Sequence, residues 1–342
     1  MRFNTITSPH GSGPNKLDRV MLEVIMALLP GTTALFWFFG WGVLINIVIA
    51  VVTAWACEGA MLLLRKRPVL ATLKDNSALV TAWLLAIALP PLAPWWLTVL
   101  GIAFAIIFAK QLYGGLGYNP FNPAMVGYVV LLISFPLEMT QWLPPVSISG
   151  HLLTLQQSAQ AIFLQHLPAG GWDALSGATP LDTVKTGLAL NKTLAEIRTN
   201  PLFGYLGGRG WEWVGAGYLL GGCYLIYRKI ISWHTPVALA CSIMLMALIF
   251  YLYDSNTYSS PWFHLFSGAT LLGAFFIATD PVSSCTSNKG KLYYGAGIGV
   301  LTYAIRSWGG YPDGIAFAVL LMNMAAPFID YYTKPKVYGT TG

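Results

Sequence analysis

Long apolar runs, separated by short clusters of basic residues, constrain this chain more than any other feature. Hydrophobic residues make up 56% of the 342 positions and charged residues only 9%, whereas a soluble domain carries about 25% charged residues. Such a chain cannot cover a water-facing surface with polar groups. The pattern therefore predicts an all-α protein that crosses a membrane several times.

Ten apolar segments are candidates for transmembrane helices. They are 20–39, 41–64, 77–91, 95–112, 120–136, 211–228, 235–253, 263–279, 290–306 and 314–330. The third and the eighth are short for a hydrocarbon core of ~30 Å, and each of them ends at proline.

The Lys and Arg residues indicate how such a bundle is oriented. With ten spans, both termini and the even-numbered connections share one side of the membrane. Of the 19 Lys and Arg residues, 14 lie on that side, and the others are Lys185, Lys192, Arg198, Arg209 and Arg306. The positive-inside rule then predicts cytoplasmic termini, and residues 137–210 are expected in the periplasm of a bacterial inner-membrane protein. Because the basic residues are scattered between apolar spans, we expect no nucleic-acid partner in spite of the net charge of +6.

The two halves of the chain resemble each other. Ser77 and Ser267 each open a short apolar segment, and each half continues with a span, a basic residue and a Gly-Gly pair, in "KQLYGG" (110–115) and "RSWGG" (306–310). Five spans in each half give the halves opposite topologies, as in inverted-repeat transporters. We therefore predict a first membrane repeat over 1–136, a connecting loop over 137–210 and a second repeat over 211–342.

The stretch "DALSGAT" at 173–179 lies in the connecting loop. It resembles the acceptor motif of flavin transferases, Asp-x-x-Ser/Thr-Gly-Ala-Thr/Ser, whose final hydroxyl is joined to the phosphate of FMN. Gly177 and Ala178 leave little side chain in the way of a modifying enzyme, and glycine relaxes the backbone. Pro180 disfavours a helical conformation at Thr179.

The whole chain resembles one family of membrane redox subunits. That family contains the D subunit of the Rnf (or Rsx) electron transport complex and is related to the B subunit of the sodium-pumping NADH:quinone oxidoreductase. The stretches that carry the resemblance are "LKDNSALVT" (73–81), "AKQLYGGLGYNPFNPAMVGYVVLLISFP" (109–136), "SGATPLDTVKT" (176–186), "SGATLLGAFFIATDPV" (267–282) and "GGYPDGIAFAVLLMN" (309–323).

The resemblance implies a function and a cofactor. FMN would be attached covalently to Thr179, with Asp173, Ser176, Gly177 and Ala178 as the attachment motif and a flavin transferase as partner during maturation. The chain would act as a subunit, not catalytic alone, beside Rnf subunits A, B, C, E and G. Such a complex moves electrons between NADH and ferredoxin and couples them to Na⁺ or H⁺ movement. The alternative is a solute or ion channel without a redox role, because inverted repeats with short paired segments are equally typical of transporters.

The tetrapeptide Ser-Gly-Ala-Thr occurs a second time, at 267–270. There His264 replaces the leading aspartate, and the tetrapeptide opens an apolar segment that a transferase could not easily reach. We interpret its Ser and Gly as small residues for close helix packing and expect no flavin on Thr270.

The stretch "GGLGYNPFNPA" (114–124) breaks an apolar region with two Asn-Pro pairs. Irregular backbone at membrane depth is tolerated when it is buried in protein or lines a cavity. Two interpretations stay open for Asn119 and Asn122. They hydrogen-bond the edge of a second, non-covalent flavin, which the resemblance implies to be riboflavin, or they satisfy backbone groups freed by the break.

Among the acidic residues of the apolar segments, Glu58 lies deepest, and Arg65 two turns away is its expected partner. The four cysteines form no Cys-x-x-Cys pair, and the spacing of the five histidines suggests no metal site. We therefore predict no metal centre.

Overall fold

The structure of the protein is a computed structural model that describes residues 17–166, 171 and 175–334. Within these ranges the regular structure is helical, and β-pairing is limited to two isolated antiparallel bridges. The first half contains α1 (Leu17–Phe39), α2 (Gly42–Leu64), α3 (Val69–Leu73), α4 (Ser77–Ala88), α5 (Trp95–Ala103), which continues as a π-helix over Phe104–Gln111, and α6 (Pro123–Ser134).

The described residues of the connecting segment include the shorter helices α7 (Pro136–Thr140), α8 (Val146–Ser149), α9 (Leu155–Leu164), α10 (Pro180–Ala189) and α11 (Leu194–Ile197). The second half contains α12 (Trp211–Tyr227), α13 (His234–Tyr253), α14 (Pro261–Phe266), α15 (Thr270–Leu272), which continues as a π-helix over Gly273–Ile277, α16 (Asn288–Trp308) and α17 (Ile315–Thr333).

In the part of the chain that the structure describes, four helices are long and apolar enough to cross a membrane: α1, α2, α13 and α17. The fold is therefore that of a multi-pass membrane protein, and the prediction of an all-α chain is confirmed. Each of the ten predicted segments falls on helical structure. That all ten cross the membrane, as two inverted repeats, stays a prediction.

The eighth predicted segment, 263–279, is not one helix, and this prediction was wrong. It is split into α14 and α15 by Ser267, Gly268 and Ala269. Gly268 has a φ of +63°, which a right-handed helix cannot accommodate. The backbone conformation of Gly268 therefore ends α14. The sequence pattern alone does not distinguish this interruption from a continuous apolar helix.

The two halves are packed against each other over a shared interior. Helix α1 lies along α12, and α6 contacts α17, while one cluster of buried hydrophobic side chains runs through both halves. Close approach of α1 and α12 depends on small residues, because a Cβ at Gly221 would overlap the carbonyl of Ala27, and one at Gly217 would overlap the backbone of Gly31. Glycine at such crossings is typical of helix pairs in membranes.

The connecting segment lies against one end of this bundle. Helix α9 inserts Ala161 and Ile162 into a small apolar cluster with Leu92. Helices α10 and α11 share a second cluster with Phe263 of α14. This packing holds α10, which begins immediately after Thr179, close to the interruption between α14 and α15.

Candidate functional site

Thr179 is the N-cap residue of α10. Its backbone is extended, with φ −68° and ψ 160°, and its Oγ1 accepts a hydrogen bond from the backbone N–H of Asp182 at 3.2 Å. Pro180 occupies the first helical position, as is typical of helix starts, and the predicted non-helical conformation of Thr179 is confirmed. The hydroxyl therefore lies at the positive end of a ten-residue helix.

The rest of the motif is anchored beside this helix start. The N–H of Gly177 donates to the carbonyl of Trp142 at 2.8 Å, which forms one of the two isolated bridges. Ser176 is half-buried and Ala178 is exposed. Asp173, the predicted head of the motif, lies outside the described residues.

Thr179 borders a cleft that we call the first cavity. Its empty space, including the open mouth, is ≈ 1110 Å³. The wall is largely apolar and aromatic, with contributions from Tyr128, Trp142 and Trp211, while Asp182 and Asp313 add carboxylates. A wall of this chemistry suits a planar aromatic ring system.

A lysine on α10 fixes the position of this helix, and a carboxylate on the same helix influences it. Lys185 donates from Nζ to the carbonyls of Gly309 and Tyr311, at 2.5 and 2.8 Å, and so fastens α10 to the loop before α17. Burial lowers the pKa of Lys185, an effect that the Asp182 carboxylate opposes. Burial likewise raises the pKa of Asp182, against the opposing influence of Lys185. Burial therefore makes the ionised form of Asp182 less favourable than it would be in water.

The second Ser-Gly-Ala-Thr copy has a different environment. Thr270 is fully buried, and its Oγ1 donates to the carbonyls of His264 at 2.7 Å and of Ser267 at 3.2 Å. These two hydrogen bonds of its hydroxyl stabilise the interruption between α14 and α15. The expected helix packing of Ser267 and Gly268 is not found, because both lie in the interruption between two helices. Gly268 instead allows a close approach of side chains, since an added Cβ would overlap Asp313 and Leu181.

A buried arginine holds the same interruption from the other side. Arg306 donates to the carbonyls of His264 at 2.7 Å and of Ser267 at 3.2 Å, and pairs with Asp313 at 2.9 Å. Asp313 also accepts from the N–H of Ala269 at 2.8 Å. The sequence pattern marks Arg306 as a topology determinant, but its side chain is only 1% exposed. Its partner Asp313 lines the first cavity.

Asn119 and Asn122 line a second cavity, whose empty space including the open mouth is ≈ 850 Å³. Asn122 caps α6, with Oδ1 accepting from the N–H of Met125 at 3.3 Å and Nδ2 donating to the carbonyl of Ile277 at 3.4 Å. Asn119 donates from Nδ2 to the carbonyl of Phe121 at 3.0 Å. Its buried Oδ1 has no donor among the described residues. Asn122 thus satisfies backbone groups, whereas Asn119 keeps an acceptor that a bound N–H group can use.

Glu58 is fully buried, but its partner is not the expected Arg65. Lys110 donates to Glu58 Oε1 at 2.6 Å, and Gln111 donates to the same oxygen at 2.7 Å. Arg65 instead donates to Gln111, at 3.2 Å to its Oε1. The expectation failed because Lys110, another apparent topology determinant, approaches from the far end of the α5 helix. Lys110 also donates to Ser77 Oγ at 2.7 Å and lines the second cavity.

Helices α1 and α12, one from each half, line both cavities, and each helix contributes its opposite ends to the two. The second cavity contacts the start of α1 at Met21, the start of α4 at Ser77 and the end of α12 at Leu225. The first contacts the end of α1 at Leu35, the start of α12 at Val214 and the interruption before α15. The rise of an α-helix separates the two cavities by roughly 20 Å along α1.

The described ranges contain no group of three or more His, Cys, Asp or Glu side chains that could hold a metal ion. Cys57, Cys223, Cys241 and Cys285 are unpaired. The candidate site of this chain is therefore the pair of cavities.

Comparison with known proteins gives full-length matches. The family model described as "NQR2, RnfD, RnfE family" matches residues 4–339. A protein of Klebsiella pneumoniae (strain 342), named as the D subunit of an ion-translocating oxidoreductase complex, is 52% identical over 348 residues, which cover 99% of both chains. Proteins of the same name are 51% identical in Escherichia fergusonii and 52% identical in Aliivibrio salmonicida (strain LFI1238), again over 99% of both chains.

Proposed function

Because this chain belongs to the NQR2, RnfD, RnfE family, we propose that it is the flavin-carrying membrane subunit of an ion-translocating oxidoreductase complex. In this proposal FMN is joined by its phosphate to Thr179, and electrons pass through it. The observation that carries the proposal is the position of Thr179, which lines an aromatic cleft and caps the start of α10.

The residues around Thr179 suit a phosphate ester. A helix N-terminus stabilises a phosphate through its N–H groups and its dipole. The nearby Asp182 would repel the phosphate if ionised, and burial, which raises the pKa of Asp182, reduces that repulsion. Lys185 adds a positive charge on the same helix. The flavin itself supplies the redox chemistry, and this chain binds it, orients it and excludes water from the aromatic wall.

We further propose that the second cavity holds a non-covalent flavin, with riboflavin as the expected form. The support is the unpaired Oδ1 of Asn119, since the isoalloxazine edge carries an N–H donor. Replacing Asn119 with Leu should remove this contact, at ~1–3 kcal/mol, or roughly a 5- to 150-fold loss of affinity. Acid-extractable flavin per purified chain measures this loss, and the Thr179-bound flavin, which acid does not release, is the internal control. Unchanged extractable flavin in Asn119→Leu would place the second flavin elsewhere.

The membrane arrangement completes the proposal. The ten spans form two inverted repeats, with both termini in the cytoplasm and residues 137–210 in the periplasm. Support comes from the matched positions of Lys110 and Arg306, since each contacts the serine that opens the corresponding short apolar segment, Ser77 in the first half and Ser267 in the second. The partners are subunits A, B, C, E and G of the complex, and a flavin transferase during maturation. Electron flow is coupled to the movement of Na⁺ or H⁺.

One experiment separates this function from a plain channel. The full-length chain, expressed with a flavin transferase, is purified in detergent and its absorption spectrum is recorded before and after acid precipitation. We expect flavin bands in the native chain, and a flavin fraction that stays with the precipitated protein. A colourless chain would favour the channel without a redox role.

A further inference from the structure

A continuous chain of hydrogen bonds connects the second cavity with the protein surface. Lys110 donates from Nζ to Ser77 Oγ at 2.7 Å, and Ser77 Oγ donates to Asp75 Oδ1 at 2.6 Å. Ser77 and Lys110 both line the cavity and are 4% and 2% exposed. Asp75 is half-buried, in the turn between α3 and α4, and reaches water. These three groups thus connect the protein surface with the second cavity.

We propose that Asp75, Ser77 and Lys110 form a proton relay that serves the occupant of the second cavity. This inference rests on the proposed function, in which that occupant is a flavin. A flavin that gains electrons in a low-dielectric interior also gains negative charge, which is costly there unless a proton follows. The surrounding protein therefore needs a route for protons as well as for electrons.

The surroundings of Lys110 suit it to the inner end of the relay. An ammonium group has three N–H donors, and two are used by Glu58 and Ser77. The third is available to the occupant, because the side chain lines the cavity. Glu58 on α2 balances the charge and is held by a second donor, Gln111. A buried cation without such a partner would be strongly unfavourable.

The other charged groups near Lys110 are arranged around this route. Asp75 lies at its outer end, and Asp280, which follows the π-helix after α15, lines the same cavity. Arg65 contacts the cluster only through Gln111. No cation therefore stands between Asp75 and Lys110 in the described hydrogen-bond chain.

The proton steps balance without any further reactant. A ring nitrogen of the reduced flavin forms a bond to a proton of the Lys110 ammonium, whose N–H bond breaks. The resulting amine takes the proton of the Ser77 hydroxyl, and that oxygen takes a proton that the Asp75 carboxylate has received from a hydronium ion at the surface. Asp75 thus ends as the carboxylate that accepts from Ser77 Oγ, and the hydronium ion becomes water. The electrons come from the redox groups of the complex and do not pass through these three side chains.

Ser77 offers the sharpest test, because its replacement by Ala interrupts the relay without changing any charge. The experiment uses the full-length chain in a Thr179→Val background, so that the extractable flavin alone is observed. The bound flavin is reduced by a light flash, and its protonation is followed by the absorbance difference between anionic and neutral reduced flavin. We expect protonation to slow by about 10²-fold in Ser77→Ala, and to stay near the unsubstituted rate in Ser77→Thr, which keeps the hydroxyl.

A second pair of variants covers the case in which position 77 does not tolerate change. Asp75→Asn should slow protonation like Ser77→Ala, whereas Asp75→Glu should retain it. A flavin-loaded Ser77→Ala or Asp75→Asn chain that protonates at the unsubstituted rate would overturn the relay. Absence of extractable flavin from the unsubstituted chain would instead overturn the proposed occupant, so the two failures are distinguishable.

Discussion

The two Ser-Gly-Ala-Thr copies have the same four residues and opposite structural roles. Thr179 lies at a helix start beside a cleft, and its hydroxyl accepts one hydrogen bond from the backbone. Thr270 is fully buried, and its hydroxyl donates to two carbonyls in a helix interruption. The difference teaches that the environment of a hydroxyl, more than the tetrapeptide around it, decides whether it is available for modification.

The largest effect is expected at Thr179. Replacing it with Asn keeps a good N-cap for α10 but removes the hydroxyl, so covalent flavin fluorescence on a denaturing gel should be abolished. Thr179→Ser keeps both properties and should stay fluorescent. Fluorescence of equal strength in Thr179→Asn would mean that the flavin is attached elsewhere and would break the comparison.

A large loss of stability is expected when the ion pair that holds the second Ser-Gly-Ala-Thr copy in place is broken. Asp313→Asn removes the charge partner of Arg306, whose side chain is 1% exposed, and breaking a buried pair costs about 3–5 kcal/mol. Asp182→Asn near the first copy is the matched control and should change stability by less than about 0.5 kcal/mol. Thermal unfolding in detergent measures both. Equal stability of the two variants would show that the Arg306 network does not hold the interruption.

A smaller effect is expected from Thr270→Val. Loss of its hydroxyl leaves the carbonyls of His264 and Ser267 with fewer donors, at ~1–3 kcal/mol, while Arg306 still contacts both. The flavin label should be unchanged. Thermal unfolding and gel fluorescence of the same sample give both values, and loss of the label without unfolding would assign Thr270 a role in attachment.

The smallest effect is expected from completing the motif in the second copy. His264→Asp, in the Thr179→Asn background, gives residues 264–270 the full acceptor pattern. We expect no label, because Thr270 stays buried. Gel filtration first checks that the variant elutes as a monomer and has not aggregated. A flavin on Thr270 would show that the sequence of the motif is sufficient and that accessibility is not decisive.

Sequence reasoning succeeds for features that depend on neighbouring residues and fails for features that depend on residues distant in the chain. Thr179 is identifiable because its motif and Pro180 are contiguous, and Asn119 and Asn122 because two Asn-Pro pairs are conspicuous in an apolar region. The interruption at Gly268 escapes prediction, since its stability depends on Arg306 and Asp313, about forty residues further along the chain. Those distant contacts leave no mark on the local pattern.

The buried ion pairs escape prediction for a related reason. A lysine or arginine at the end of an apolar segment is ordinarily a topology signal, and Glu58 has Arg65 close in sequence. The actual partner, Lys110, is separated from Glu58 by 52 positions. The sequence does contain one signal of these buried pairs. Lys110 and Arg306 each precede a Gly-Gly pair at matched places in the two halves. That recurrence indicates a shared structural role.

The attachment of FMN to Thr179 is the central claim, and peptide mass spectrometry tests it most directly. The full-length chain, matured with a flavin transferase, is digested, and the peptides that contain Thr179 and Thr270 are both fragmented. The account predicts that the Thr179 peptide carries the mass of FMN less one water, located on that threonine, and that the Thr270 peptide is unmodified. An unmodified Thr179 peptide, or FMN on Thr270, would contradict it.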